Sequence, residues 1–201
     1  RFDRGLYIAA EAHLDPRAAL IHLRQRLERD GVTFVPEAGR PEGLTLDCRG
    51  LGARDALPAL RGVKGEMALL RSADIRLSRP VRLLHPRYPL YVVPRADGVF
   101  MLGATQIESD DRRKSVRSVL ELLSAAYALH PAFGDAELVE IGVDARPAFP
   151  DNLPRLTRRG ETIYVNGLFR HGFLLAPALA QLAAEAALNG TIPEFWHEDH
   201  D

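Results

Sequence analysis

The sequence predicts an α+β protein, and three observations carry that prediction. Short β-type runs follow one another through the middle of the chain across hairpin-sized gaps, which points to antiparallel pairing. Helical segments stand at intervals rather than alternating with every strand. No internal repeat and no low-complexity stretch suggests any other architecture.

Taken in order, Gly5 to Ala9 reads as a short strand. Asp15-Pro16 supplies an N-cap followed by proline at the first helical position. Leu20, Leu23 and Leu27 then recur at helical spacing until Gly31 closes the segment. Thr33 to Val35 and Leu44 to Asp47 are β-type runs on either side of a Pro/Gly loop. Gly62 to Leu70, Val81 to Leu84, Leu90 to Val93 and Val99 to Leu102 form an antiparallel set. Its clearest turn is Arg95-Ala96-Asp97-Gly98, because Asp-Gly between apolar runs is a hairpin signal. Asp110-Asp111 precedes the strongest helix, roughly Lys114 to His130, which Pro131 ends. Val116, Val119, Leu120, Leu123, Ala126 and Tyr127 fall on one face of it and are expected to pack on the sheet. Leu138 to Ile141 and Thr162 to Val165 read as strands. An alanine-rich helix, Leu179 to Leu188, stops at Asn189-Gly190.

A chain of 201 residues, 46% hydrophobic and 26% charged, can bury a sizeable core. A formal net charge of −1 disfavours nucleic acid and acidic membrane surfaces as partners. The single cysteine, Cys48, excludes an internal disulfide and fits a reducing compartment, here the cytoplasm. No apolar run approaches the ~20 residues of a membrane span. The terminal stretch His197-Glu198-Asp199-His200-Asp201 reads as a polar tail rather than a metal site.

Chemistry concentrates near the C-terminus. Between the run Thr162 to Val165 and the alanine-rich helix, Gly167 and Gly172 bracket Arg170 and His171. Glycines admit close backbone approach to a ligand, and a helix start offers unpaired N–H groups with partial positive charge. A strand, a glycine loop and a helix in that order suit a cofactor. Upstream stands Arg146-Pro147-Ala148-Phe149-Pro150-Asp151-Asn152-Leu153-Pro154. Arg146 has the chemistry to orient a carboxylate through two parallel hydrogen bonds; the alternative is a surface arginine beside a proline turn.

Those two segments resemble the C-terminal half of the glycine oxidase/D-amino acid oxidase flavoproteins. Tyr91-Val92-Val93-Pro94-Arg95, with Gly98 and Gly103-Ala104-Thr105-Gln106-Ile107-Glu108-Ser109, looks like that family's substrate-domain hairpin. Asp47-Cys48-Arg49-Gly50-Leu51-Gly52 looks like its second flavin-contacting turn. The resemblance runs from about Gly5 to Gly190 and is closest to bacterial glycine oxidases of thiamine biosynthesis. It implies a D-amino acid oxidase-like fold divided in four. Residues 1–60 are a remnant of the FAD-binding domain, and 61–145 an antiparallel substrate domain. Residues 146–190 are a C-terminal FAD-binding and active-site segment, and 191–201 a tail.

The resemblance also assigns roles. Arg146 and Tyr91 are the implied catalytic pair, and Gln106 and Arg170 join them in binding substrate. Gln106 stands where relatives place methionine. Gly50, Gly52, Gly167, Arg170, His171, Gly172, Phe173 and Leu174 are the implied contacts to noncovalent FAD; the Arg-Pro region lacks the cysteine by which sarcosine oxidases tether flavin. The implied reaction removes hydride from the Cα of glycine or a small amine. Hydrolysis of the imine then gives glyoxylate, and oxygen is reduced to hydrogen peroxide, in a homo-oligomeric enzyme. A related sarcosine or D-amino acid oxidase is the alternative. The Gly-x-Gly-x-x-Gly loop that holds a dinucleotide pyrophosphate is missing, since Gly50-Leu51-Gly52 leads to Asp55 where the third glycine would stand. The chain therefore reads as the C-terminal portion of a longer flavoenzyme, expected to hold FAD weakly by itself, or as a non-catalytic substrate or oligomerisation module.

Overall fold

The hairpin at Arg95 to Gly98 forms as its turn residues demand. Val99 N–H donates to the Ala96 carbonyl at 3.1 Å across Asp97 and Gly98, both with positive φ (56° and 67°). That is the I′ geometry whose twist matches the flanking strands. The computed structural model containing it describes residues 4–37, 39, 43–85 and 89–198.

The described helices are α1 (Pro16–Arg29), α2 (Val116–Leu129) and α3 (Gly172–Asn189). The strands begin with β1 (Thr45–Asp47), β2 (Arg61–Arg71), β3 (Val81–Leu83), β4 (Leu90–Pro94) and β5 (Val99–Gly103). They continue with β6 (Ile107–Glu108), β7 (Glu137–Ala148), β8 (Arg155–Arg159), β9 (Thr162–Asn166) and β10 (Trp196–Glu198). Two compact units divide them in an interleaved rather than sequential way. The first comprises Arg1–Ala19, Lys64–Ile107 and Asp111–Asp144; the second comprises Leu20–Val63, Glu108–Asp110 and Ala145–Asp201.

In the first unit an antiparallel sheet runs β3-β4-β5-β2-β6, with β7 also paired to β2. Leu90 and Val92 of β4, Phe100 and Leu102 of β5, and Ala68 and Leu70 of β2 pack with Leu122, Ala125 and Ala126 of α2. Phe133 closes this core edge-on to Phe100, with ring centroids 5.7 Å apart. Burying each large apolar side chain contributes roughly 1.5–3 kcal/mol.

The face that α2 buries shares Ala126 and the partly buried Leu123 with the expected one but is otherwise rotated from it. Val116, Leu120 and Tyr127 are 77%, 60% and 59% exposed, whereas Ser118, Leu122, Ala125 and Ala126 point inward. The helix start explains this rotation. Ser115, not the Asp110-Asp111 pair, is the N-cap, accepting from the Ser118 N–H. Its own N–H donates to the carboxylate of Glu66 at 2.6 Å, and its hydroxyl pairs with that of Ser118 at 2.7 Å. Satisfying a buried carboxylate thus decides the helix register over the apolar stripe.

Glu66 is 0% exposed. Its backbone exchanges bonds with Thr105, and Lys64 Nζ, itself buried, lies 3.7 Å away. Burial pushes the carboxyl up, but bonds from Ser118 and Ser115 and the Lys64 charge outweigh it and hold Glu66 below the ordinary glutamate value. A depressed folded value stabilises above the unfolded pKa of about 4.3 and is lost as pH falls through the folded one. Glu66→Gln is therefore expected to cost about 2–4 kcal/mol at pH 7, by urea denaturation. The gap to wild type narrows as pH drops below about 4; an unchanged gap at low pH would show that the charge is irrelevant.

In the second unit, β8 and β9 pair antiparallel, while β1 runs parallel to β9 and β10 parallel to β8. This sheet is mixed, unlike the antiparallel sheet of the first unit. One small core joins Ala53, Leu57, Leu60 and Phe149; another joins Leu156 of β8 to Leu179 and Ala183 of α3.

Three expectations fail locally. Gly5 to Ala9 and Thr33 to Val35 lie outside regular structure, because a strand needs a hydrogen-bonded neighbour and neither run has one among the described residues. Helix α1 has its expected cap, Asp15 Oδ1 accepting from Ala18 N–H at 2.9 Å, yet buries no residue. The C-terminal helix starts at Gly172, with Pro177 inside it. At 18 residues this helix is long and apolar enough to cross a bilayer by length and composition, although its Leu179, Ala183 and Ala186 are buried. The Pro/Gly loop at 38 and 40–42 and the last part of the expected tail, 199–201, fall outside the described residues, whereas His197 and Glu198 of that tail lie in β10, paired with β8.

Candidate functional site

In the second unit the two cofactor segments are built against each other. Arg146 lies not in a turn but in β7, which runs through Arg146-Pro147-Ala148. The Pro147 carbonyl accepts the Phe169 N–H at 3.1 Å, fastening the strand to the glycine loop. Phe169 has φ of 48° and Gly167 of 79°. A Cβ at Gly167 would come within 2.4 Å of the buried Phe149 ring and 3.2 Å of the Leu153 carbonyl oxygen. Glycine there serves both conformation and close packing.

The motif after Arg146 folds for local reasons. Asp151 accepts from Leu153 N–H and from Arg155, each at 3.0 Å. Asn152 adopts a left-handed conformation (φ 61°) that asparagine tolerates, and donates its N–H to the Phe149 carbonyl. Arg155 stacks 4.3 Å over the Phe149 ring. Phe149 is thereby held beneath Gly167.

The Gly50 turn joins the same assembly through a residue the sequence reading missed. Asn166, buried at the end of β9, donates from Nδ2 to the Gly50 carbonyl at 2.9 Å and accepts from Gly167 N–H on Oδ1 at 2.8 Å. A polar residue closing an apolar run before glycine was the available signal. Gly50 has φ of 61° and opens a 3-10 turn, Gly50–Ala53. Gly52 has neither a positive φ nor a tight neighbour, so no such requirement attaches to it.

Asp47 anchors the turn by accepting from Arg49 N–H (3.0 Å) and Nε (2.8 Å). Burial raises the Asp47 carboxyl, but these bonds and the Arg49 charge bring it below the ordinary value. Burial, and then the negative charge of Asp47, pushes the Cys48 thiol up. That keeps it protonated and makes it a poor nucleophile.

The start of α3 faces open space at its glycine. A Cβ at Gly172 would meet nothing within 4 Å, and the N–H groups of Gly172, Phe173 and Leu174 precede the first helical bond, Leu175 to His171. Pro177 has no N–H to give the Phe173 carbonyl. Open backbone donors at the positive end of a helix suit the acceptor-rich edge of a flavin ring, so the residues present fit FAD at its ring. Arg170 and His171 are exposed beside this helix start. Tyr91 and Gln106 belong to the first unit: Tyr91 is half-buried on β4, and Gln106 is exposed between β5 and β6.

A family model described as FAD dependent oxidoreductase matches residues 1–186. The chain belongs to this family of FAD-dependent oxidoreductases. Among its members, the putative thiamine biosynthesis oxidoreductase ThiO of Rhizobium etli is 53% identical over 193 residues, covering 94% of this chain and 59% of its own length. Glycine oxidase of Geobacillus kaustophilus is 34% identical over 169 residues, covering 79% of this chain and 42% of the relative. The chain thus spans about 59% or less of these relatives. Among solved members, the same glycine oxidase superposes with a TM-score of 0.59 at 28% identity, over 68% of this chain and 37% of the other. The iminodiacetate oxidase of Chelativorans gives 0.66 at 25% identity, over 79% and 47%. These likenesses agree with the α+β, D-amino acid oxidase-like fold expected from the sequence.

Proposed function

We propose that the protein oxidises glycine, or a comparably small amine, in thiamine thiazole formation in the cytoplasm. The observation that carries this reading is the fastening of Arg146's strand to the glycine loop through Phe169 N–H and Pro147. It ties the backbone beside Arg146, whose guanidinium suits a carboxylate, to the loop that precedes the open helix start. The likeness to a putative thiamine biosynthesis oxidoreductase and to glycine oxidases supports it.

FAD, when bound, supplies the two-electron acceptor, and oxygen restores it with release of hydrogen peroxide. The family resemblance gives Arg146 the role of binding the substrate carboxylate and gives Tyr91 a substrate-binding role in which its phenol can donate and its ring exclude water. Gln106 sets local polarity, and Arg170 attracts the substrate carboxylate at the entrance. The backbone of Gly172 to Leu174 and the Gly50 turn would hold the flavin when it is bound.

A substrate panel followed by peroxide release tests this. The expected order is glycine or sarcosine, then D-alanine, then larger D-amino acids, with L-amino acids unreactive. One added methyl is worth only about 1–3 kcal/mol of discrimination. Faster turnover of D-phenylalanine or D-valine than of glycine would replace this reading with a broader D-amino acid oxidase. A secondary amine is the second reading, favoured by the likeness to iminodiacetate oxidase.

A further inference from the structure

On the sheet of the first unit, the face turned away from α2 carries a row of alternating large and absent side chains. Tyr91 of β4 stands in register with Gly103 of β5, and Gly103 with Met67 of β2. Beyond Met67 lies Gly142 of β7, where an added Cβ would approach the Met67 Cγ to 3.1 Å. At Gly103 the approach is far closer. A Cβ there would lie 2.4 Å from both Cζ and Oη of Tyr91 and 2.8 Å from Cε2. Those are the distal atoms of the ring, so the phenol end of Tyr91 lies directly across the Gly103 backbone. Ordinary cross-strand neighbours stand side by side with their Cβ atoms about 4.5–5.5 Å apart.

The strand beneath the ring has no freedom to withdraw. Gly103 is held between β4 and β2. Just beyond it, Thr105 donates its N–H to the Glu66 carbonyl at 3.1 Å, and its Oγ1 accepts from the Glu66 N–H at 2.8 Å. Glu66 is itself fixed by Ser115 and fully buried. The backbone under Tyr91 is therefore clamped on both sides and at its end.

We propose that Gly103 is a positioning residue for the oxidation: its missing side chain lets the Tyr91 ring lie flat on β5 and fixes where the phenol stands over a bound substrate. The proposal rests on the reading of Tyr91 as a substrate-contacting residue. A bare methyl at 103 displaces the ring by more than an ångström, and misplacement of that size can cost about 100-fold in rate. The device suits a small substrate, because a ring lying low across the sheet is held by backbone rather than by the substrate's own bulk.

The test is a double-mutant cycle in the FAD-loaded protein with Gly103→Ala, Tyr91→Ala and the pair. It reads kcat and KM for glycine, the Kd of acetate as a carboxylate that cannot be oxidised, and Tm. Gly103→Ala alone is expected to lower kcat/KM about 10- to 100-fold, to weaken acetate, and to lower Tm. In the Tyr91→Ala background the same change is expected to alter each by less than about twofold or by little in Tm, since the atoms it would strike are gone. Failure of Gly103→Ala to fold while the double variant folds would overturn the positioning role, since the coupling would then be one of stability. Equal losses in both backgrounds, or failure of both to fold, would overturn the proposal and assign Gly103 to the strand backbone. Coupling in Tm that appears without coupling in acetate Kd would overturn the positioning role. Wild-type protein inactive on glycine but showing coupling in both Tm and acetate Kd would leave the positioning intact and sink only the substrate assignment.

Discussion

In the full-length, FAD-loaded enzyme, replacing Arg146 with alanine is expected to lower kcat/KM for glycine at least 100-fold while leaving bound FAD unchanged. Two charge-assisted hydrogen bonds to a carboxylate are worth about 1.5–3 kcal/mol each, and 2.7 kcal/mol already corresponds to about 100-fold at 25 °C. The substitution leaves the fastening at Pro147 intact, because that bond uses the backbone carbonyl. Flavin absorbance after gel filtration and peroxide release separate the two consequences. Activity within about threefold of wild type would return Arg146 to a structural role in β7. Arg146→Lys is not a conservative control, since an ammonium lacks the planar fork that fixes the carboxylate's orientation.

The second large effect is expected at Gly167. Alanine there meets the Phe149 ring at 2.4 Å and must hold φ near 79°. A left-handed non-glycine residue costs about 1–2 kcal/mol, and overpacking about 1–3 kcal/mol. Phe149 cannot easily yield, pinned by Arg155 above and the Ala53, Leu57 and Leu60 cluster below. Gly167→Ala should thus lose roughly 2–5 kcal/mol, a fall in Tm of several degrees or more, and release FAD at lower dilution than wild type. A Tm within about one degree of wild type would show that the ring moves freely. Phe149→Leu in the same background should recover much of the loss by removing the ring edge.

Local turns, caps and stops were legible in the sequence, and register was not. The Asp97-Gly98 hairpin, the Asp15 cap and the stop at Gly190 are local, and each formed where its residues stand. The face of α2 was misread because the apolar stripe Val116, Leu120, Tyr127 is a local pattern, whereas the burial of Ser118 answers to Glu66 some fifty positions earlier. Strand β8, Arg155–Arg159, escaped notice because its charged residues hide the buried Leu156 and Thr157. The helix reads from Leu179 in the sequence because its alanine-rich run begins there, whereas α3 starts at Gly172 and carries Pro177 inside it, leaving the Phe173 carbonyl without an N–H from that position. Asn166 was missed because one of its two partners, the Gly50 carbonyl, is distant in the sequence.

Asn166 also narrows the alphabet at its position. Its amide is read in one direction only: turned end for end, N–H would face N–H at Gly167 and oxygen would face oxygen at Gly50. Aspartate keeps the acceptor but sets a second oxygen against the Gly50 carbonyl. Leucine, of similar size, orphans a donor and an acceptor together. Glutamine carries the right ends on a stem one carbon too long for a site fully closed to solvent. A single carboxamide thus spells out which turn belongs with which loop, and no other side chain says the same thing.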